Sequence, residues 1–280
     1  MLRRLILAGL FALAPVAGHT DALDEITERG TVRLGVRADA PPFSHLDAEG
    51  QPTGLAVALC LRVVRALQQR LELDELTVDY VQVDSRSRFD RLTSRAVDLH
   101  CGPMTATLAR REIVDFSIPY FMDGVSAALR ADGVEDLAQL SGQPIGVLAG
   151  TTAVDLAKGY GEVAGSALIE FTSHSDGLMA LGDGLIEAYF ADQGLLLYQM
   201  GRFESTGGSA AIKVLDDQFS YEPYAIAMPL GEHRLRIEVD RALSATFRSD
   251  EIFDEIEAAM GPFEMSGLTA LIYALVALPE

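Results

Sequence analysis

Residues 87–121 read SRFDRLTSRAVDLHCGPMTATLARREIVDFSIPYF. A short helical stretch, Arg88–Ser94, is followed there by an apolar strand, Ala96–Cys101, and then by a second short helix, Leu108–Ile113. Strands that alternate with helices lie parallel to their neighbours and are covered by those helices, so the expected class is α/β. The alternation continues upstream. Thr31–Arg37 (TVRLGVR) puts Val32, Leu34 and Val36 on one face with a period of two, Leu55–Leu71 carries Val57, Leu61, Val64 and Leu67 at helical spacing, and Leu76–Val83 reads as a strand.

Downstream of Arg130 a second series begins. Strands are expected at Pro144–Leu148, Ala167–Phe171, Ile186–Ala191, Ile212–Leu215 and Tyr224–Met228, with helices at Thr152–Lys158, Asp176–Leu181 and Gln193–Met200 between them. His233–Arg248, Ile252–Met260 and Leu268–Leu278 read as closing helices. The series changes partner near Ser126–Leu129 and Tyr221–Ile226, which predicts two crossings between two lobes. One lobe is then built from residues 23–127 and 223–280 and the other from 128–222, with a ligand cleft between them.

The chain has 280 residues, 22 Lys+Arg against 41 Asp+Glu, and 49% hydrophobic residues. That much apolar content excludes a disordered chain, and a formal charge of −19 with no basic run argues against nucleic-acid binding. Arg3 and Arg4 precede an apolar run from Leu5 to Ala14 and small residues at Ala17 and Gly18, the order of a secretory leader over residues 1–22. A membrane anchor is the alternative, but the run is shorter than the ~20 residues a spanning helix needs. No cysteine follows closely enough to take a lipid. Export places Cys60 and Cys101 in an oxidising compartment, where a disulfide and two separate buried thiols are both open. Cys60 on a first-lobe helix, above the strand that ends at Cys101, predicts that the pair falls within bridging distance.

Ligands of open α/β sheets bind beyond the carboxyl ends of the strands. The residues there are Arg37, Ser85 to Arg88, Gly102 to Arg110, Gly150 to Thr152, Ser173 to Asp176, and Asp192. They predict a polar pocket of both charge signs. Gly150-Thr151-Thr152 ahead of a helix reads either as plain capping or as an anion site made by free backbone N–H groups. In Thr105-x-Thr107-x-x-Arg110 a threonine can cap the helix, while Arg110 is either a surface arginine or a fork for a carboxylate. Cysteine and histidine spacing suggests no metal site, no cofactor motif is present, and there is no nucleophile elbow, HExxH or phosphate-binding loop.

From about Leu23 to Pro262 the chain resembles the periplasmic amino-acid-binding proteins of ABC importers, the polar amino-acid family. The matching stretches are GTVRLGVRADAPPFS (30–44), Gln51 to Leu59, 87–121, LSGQPIGVLAGTT (140–152) and IEAYFADQGLL (186–196). The most specific is T-x-x-R followed by V-D-F-S, at Thr107, Arg110 and Val114 to Ser117. The resemblance implies the two-lobed periplasmic-binding-protein fold with two hinge crossings, a monomer in the periplasm, and a membrane ABC permease complex as partner. It also implies roles. Arg110 would pair with the ligand α-carboxylate, assisted by Thr105 and by Thr151 and Thr152 at the second-lobe helix N-terminus, and Asp192 would receive the α-ammonium group. Arg37, Ser85, Arg88 and His174 match positions that face the side-chain carboxylate in the glutamate/aspartate-binding branch. Pro103 stands where that branch has a serine. The implied function is capture of a polar, acidic amino acid for transport, and the alternative on the same fold is a periplasmic enzyme resembling cyclohexadienyl dehydratase.

Overall fold

The computed structural model describes residues 21–205, 212–262 and 267–280, so nearly all of the expected leader lies outside the described residues. Asp21 and Ala22, the last two residues of that stretch, are tied to the rest of the chain. The Asp21 carboxylate accepts from the Leu23 N–H at 2.9 Å and caps the helix Ala22–Arg29, whose apolar stripe of Ala22, Leu23 and Ile26 is buried. The Ala22 N–H donates to Glu232 at 2.8 Å.

Two five-stranded sheets form the two lobes. The first holds, in spatial order, Thr77–Gln82, Thr31–Val36, Leu99–Cys101, Glu222–Pro229 and Val114–Asp123. Its first three strands are parallel, and Glu222–Pro229 runs antiparallel to both its neighbours. The second holds Leu168–Phe171, Ile145–Leu148, Ala188–Asp192, Val125–Arg130 and Ile212–Val214, again with three parallel strands and the rest antiparallel. The antiparallel partners are the strands that flank the passages between lobes. Val114–Asp123 has mixed exposure along its ten residues, so no period of two marks it in the sequence, and its strand was not visible there.

The passage between sheets lies at Gly124, between Asp123 and Val125, and again between Val214 and Glu222. Ser126–Leu129 is therefore inside a second-sheet strand, and Tyr224–Ile226 inside a first-sheet strand. At Gly124 a Cβ would stand 2.6 Å from the Ser220 carbonyl oxygen, so the two crossings touch at a point that admits only glycine without displacement.

The first lobe packs around Val32, Leu34, Leu59, Val63, Leu99 and Ile226, with the helices Leu55–Arg70 and His233–Arg248 covering it. Cys60 and Cys101 are bonded there, with Cα atoms 6.1 Å apart and both side chains fully buried. The second lobe has its own core, in which Ala127, Ile145, Val147, Ala157 and Phe190 are removed from water together.

The disulfide closes a loop with a sequence separation of 41. In the chain-entropy treatment a loop of that size contributes about 4 kcal/mol by restricting the unfolded chain. Replacing both cysteines by alanine is expected to lower the urea unfolding free energy by about 2–4 kcal/mol, and a loss below about 1 kcal/mol would show that the bond adds little beyond the surrounding core.

Candidate functional site

The parallel strands of both sheets end at the same cleft. From the first lobe, Thr31–Val36 delivers Arg37, the helix Arg88–Thr93 delivers Arg88, and the segment after Leu99–Cys101 delivers Pro103, Thr105 and Arg110. From the second, Ile145–Leu148 delivers Thr151 and Thr152, the helix His174–Gly182 delivers His174, and Ala188–Asp192 ends in Asp192. Nine of the ten residues expected from the sequence line this one cleft. The tenth, Ser85, does not: its hydroxyl donates to the Ala149 carbonyl of the other lobe at 2.7 Å, and so it joins the lobes instead of facing the cleft. Gly150 makes that approach possible, since at its φ of 76° a Cβ would lie 2.8 Å from the Ser85 carbonyl oxygen.

Three guanidinium groups meet here, each with different partners, and the buried Nε of Arg88 has none among the described residues. Arg37, 2% exposed, donates through Nε and Nη2 to the two carboxylate oxygens of Asp39, both at 2.9 Å. That pair occupies the Nε and Nη2 edge of its fork, while the residue still lines the cleft. Arg88, also 2% exposed, donates to the carbonyls of Pro103 at 2.9 Å and Gly150 at 3.1 Å, one from each lobe. Among the described residues no carboxylate pairs with it, and burial followed by the neighbouring Arg110 and Arg37 charges lowers its pKa well below the usual guanidinium range. Arg110 donates to the Thr105 carbonyl at 3.1 Å. Its helix, Leu108–Arg111, is capped by Thr107, whose hydroxyl accepts from the Arg110 N–H at 3.2 Å. Arg88 and Arg110 both stack against Phe89, at 5.4 and 5.6 Å from the ring centre.

The second wall differs from its expected chemistry in two places. Thr152 has helical backbone angles and makes no side-chain cap to the helix Ala153–Ala164; its hydroxyl is turned to Glu222, to which it donates at 2.8 Å. His174, held by Tyr189 at 3.2 Å through Nδ1, is pushed down to about 4 by burial and by Arg37, so it faces the cleft as a neutral imidazole. Thr151 donates to the Leu148 carbonyl at 2.7 Å.

At the hinge lies a group of acids that the sequence reading passed over. Tyr224 donates to Asp192 and sits 3.5 Å from Asp123, which accepts from the N–H groups of Gly124 and Gly194. Burial, and next the charge of Asp123, raises Asp192 from 3.8 to about 7. Asp39, Glu222, Asp123 and Tyr224 were the misses. Asp39 was findable, two residues beyond Arg37, where side chains of an extended chain share a face. Glu222 and Asp123 were not, because only the pairing of the hinge strands sets them opposite one another.

Residues 32–260 match the pattern of the bacterial extracellular solute-binding proteins, family 3. The chain is 31% identical over 262 residues to the L-glutamate/L-aspartate-binding protein of Pseudomonas aeruginosa, covering 90% of this chain and 84% of that one. It is 30% identical to the glutamine-binding protein of Geobacillus stearothermophilus, over 74% of this chain and 76% of that one. An ancestral arginine-binding protein bound to arginine superimposes with a TM-score of 0.73 at 28% identity, covering 84% of this chain and 99% of that chain.

Asp192 generates a stability prediction. Between 3.8 and about 7 the folded protein holds this proton more tightly than the unfolded chain does, so the stability due to the group is full below pH 3.8 and is lost as the pH rises through about 7. Without added ligand, Asp192→Asn is therefore expected to melt above the wild type at about pH 8 and with it at about pH 3.5. Equal melting temperatures at both pH values would show that the carboxyl is not desolvated.

Proposed function

Because the chain belongs to family 3 of the bacterial extracellular solute-binding proteins, we propose that it captures a free L-amino acid with an acidic side chain and hands it to a membrane ABC permease. The observation that carries this reading is that Arg110 of the first lobe and Asp192 of the second line one cleft. An amino acid has one carboxylate and one ammonium, and burying it requires an opposite charge for each. Arg110, together with the N–H groups at the start of the helix Ala153–Ala164, suits the carboxylate, and Asp192 suits the ammonium. Because the two ends are held by different lobes, ligand favours the closed arrangement by differential affinity.

The acidic preference rests on Arg88. Arg37 is neutralised by Asp39, and His174 is neutral, so Arg88 is the buried cation at the side-chain end that lacks a carboxylate among the described residues. A ligand carboxylate would supply it, whereas an amide would not. The P. aeruginosa relative agrees with this assignment and the glutamine-binding relative is the competing case. Site roles assigned to Pro103, Thr105, Thr151 and Thr152 belong to the same proposal. So does the exported location: a leader that ends before Asp21, shorter than the 1–22 expected from the sequence, leaves the cap of the first helix intact, and N-terminal sequencing of protein recovered from the periplasm is expected to find Asp21 retained. A start beyond Ala22 would contradict it.

Titration calorimetry with L-glutamate, L-aspartate, L-glutamine and L-asparagine tests the specificity. Charge-assisted hydrogen bonds contribute ~1.5–3 kcal/mol, so each acid is expected to bind roughly ten- to a hundredfold tighter than its amide. Arg88→Ala is expected to collapse that ratio, and Arg110→Ala to abolish binding of all four. Tighter binding of an amide, or turnover of prephenate or arogenate by the wild type, would overturn the reading.

A further inference from the structure

Glu222 is 4% exposed, stands at the first position of the strand Glu222–Pro229, and makes no ion pair among the described residues. Its charge is met by hydroxyls. Ser220, on the incoming crossing, donates to Oε1 at 2.6 Å. Thr105 of the first lobe and Thr152 of the second both donate to Oε2, at 2.5 and 2.8 Å. A buried carboxylate without hydrogen bonds would be strongly unfavourable, so this carboxylate and its hydroxyls constrain one another.

A hydroxyl has one proton and two lone pairs, and a carboxylate can only accept. The Thr105 proton is therefore committed to Glu222, and what the Thr105 oxygen offers the cleft is a lone pair. A lone pair there can accept from an ammonium group but cannot serve a carboxylate. Backbone bonds hold Thr105 in register with the same strand, since the Ala106 N–H donates to the Pro223 carbonyl and Thr105 bridges to Tyr224. Two of the three bonds to Glu222 thus form without reference to the second lobe. The Thr152 bond is different, because its donor belongs to the second lobe and reaches across to a first-sheet strand.

We propose that Glu222 is a positioning residue for ligand capture: by taking the protons of Thr105 and Thr152 it turns the Thr105 hydroxyl into an acceptor for the ligand ammonium, beside Asp192, and completes this arrangement across the cleft only on closure. The inference rests on the amino-acid reading and assigns a role to a residue outside the lining of the cleft. It changes the part expected of Thr105, which now serves the ammonium end and leaves the α-carboxylate to Arg110 and backbone N–H groups.

The test compares L-glutamate with glutarate, which keeps both carboxylates and lacks the ammonium, on wild type, Glu222→Gln and Glu222→Asp. Glu222→Gln removes the charge and exchanges one of the two acceptor oxygens for a donating amide, so the three hydroxyl protons can no longer all be taken as they are by the carboxylate; Glu222→Asp keeps the charge but shortens its reach to the two threonines. Both variants are expected to weaken L-glutamate by about tenfold or more while changing glutarate no more than about threefold, so that the preference for the amine-bearing ligand falls. Thr105→Val, which removes the hydroxyl itself, is expected to reproduce the loss and to leave Glu222→Gln with little further effect when combined, and it serves as the second route if Glu222→Gln does not fold. A Glu222→Asp protein with wild-type preference would mean that charge alone matters and overturns the positioning role. Equal losses for both ligands would reduce Glu222 to a structural residue. A wild type that binds L-glutamate while all variants keep its affinity overturns this inference alone, whereas a wild type that binds no amino acid overturns the reading beneath it as well.

Discussion

Charge taken out of water must be matched, and in this protein that requirement sets the form of the cleft. Arg37, Arg88 and Arg110 converge on one small volume with Asp39, Asp192 and Glu222 around it. Four of these groups are compensated by distinct devices: a bidentate ion pair for Arg37, carbonyls from two lobes for Arg88, hydroxyls for Glu222, and a tyrosine for Asp192. Of the six, Arg88, Arg110 and Asp192 are the ones whose charge a ligand could meet more fully than the protein does. That remainder of unmatched charge is what the proposed amino-acid ligand would meet.

The fold supplies the geometry for this. Parallel strands of both sheets point their carboxyl ends inward, so loops and helix N-termini from each lobe face one another across the gap. The strand that follows the second crossing begins at Glu222, which bonds two residues of the cleft lining, Thr105 and Thr152. The crossing strands and the cleft are therefore joined through the same few side chains. Several bonds, from Ser85 to Ala149, Arg88 to Gly150 and Thr152 to Glu222, span the lobes directly.

Desolvation gives the site its electrostatic character. His174 and His100 are both pushed down by burial and by nearby arginines, so neither adds positive charge to the cleft at neutral pH. Asp192 is pushed the other way, which makes its ionised form unfavourable until a cation arrives. Stability and capture pull in opposite directions at that residue, as is common where a group is held ready for a partner.

Local pattern was enough to determine the α/β alternation, the position of most strands and helices, and the residues at strand ends, because period and turn chemistry act over a few positions. His233–Arg248 begins and ends where the apolar spacing put it, and Arg110 sits in a helix capped by Thr107 as its neighbours in sequence imply. The long hinge strand Val114–Asp123 was not legible, nor was the pairing that sets Glu222 against Asp123, since register between segments about a hundred residues apart is fixed by packing of the whole lobe. Which arginine is paired with a carboxylate was likewise a tertiary decision. The sequence offered Arg37 and Arg88 as equals, and only the folded arrangement, by bringing Asp39 onto one guanidinium and bare carbonyls onto the other, made them different.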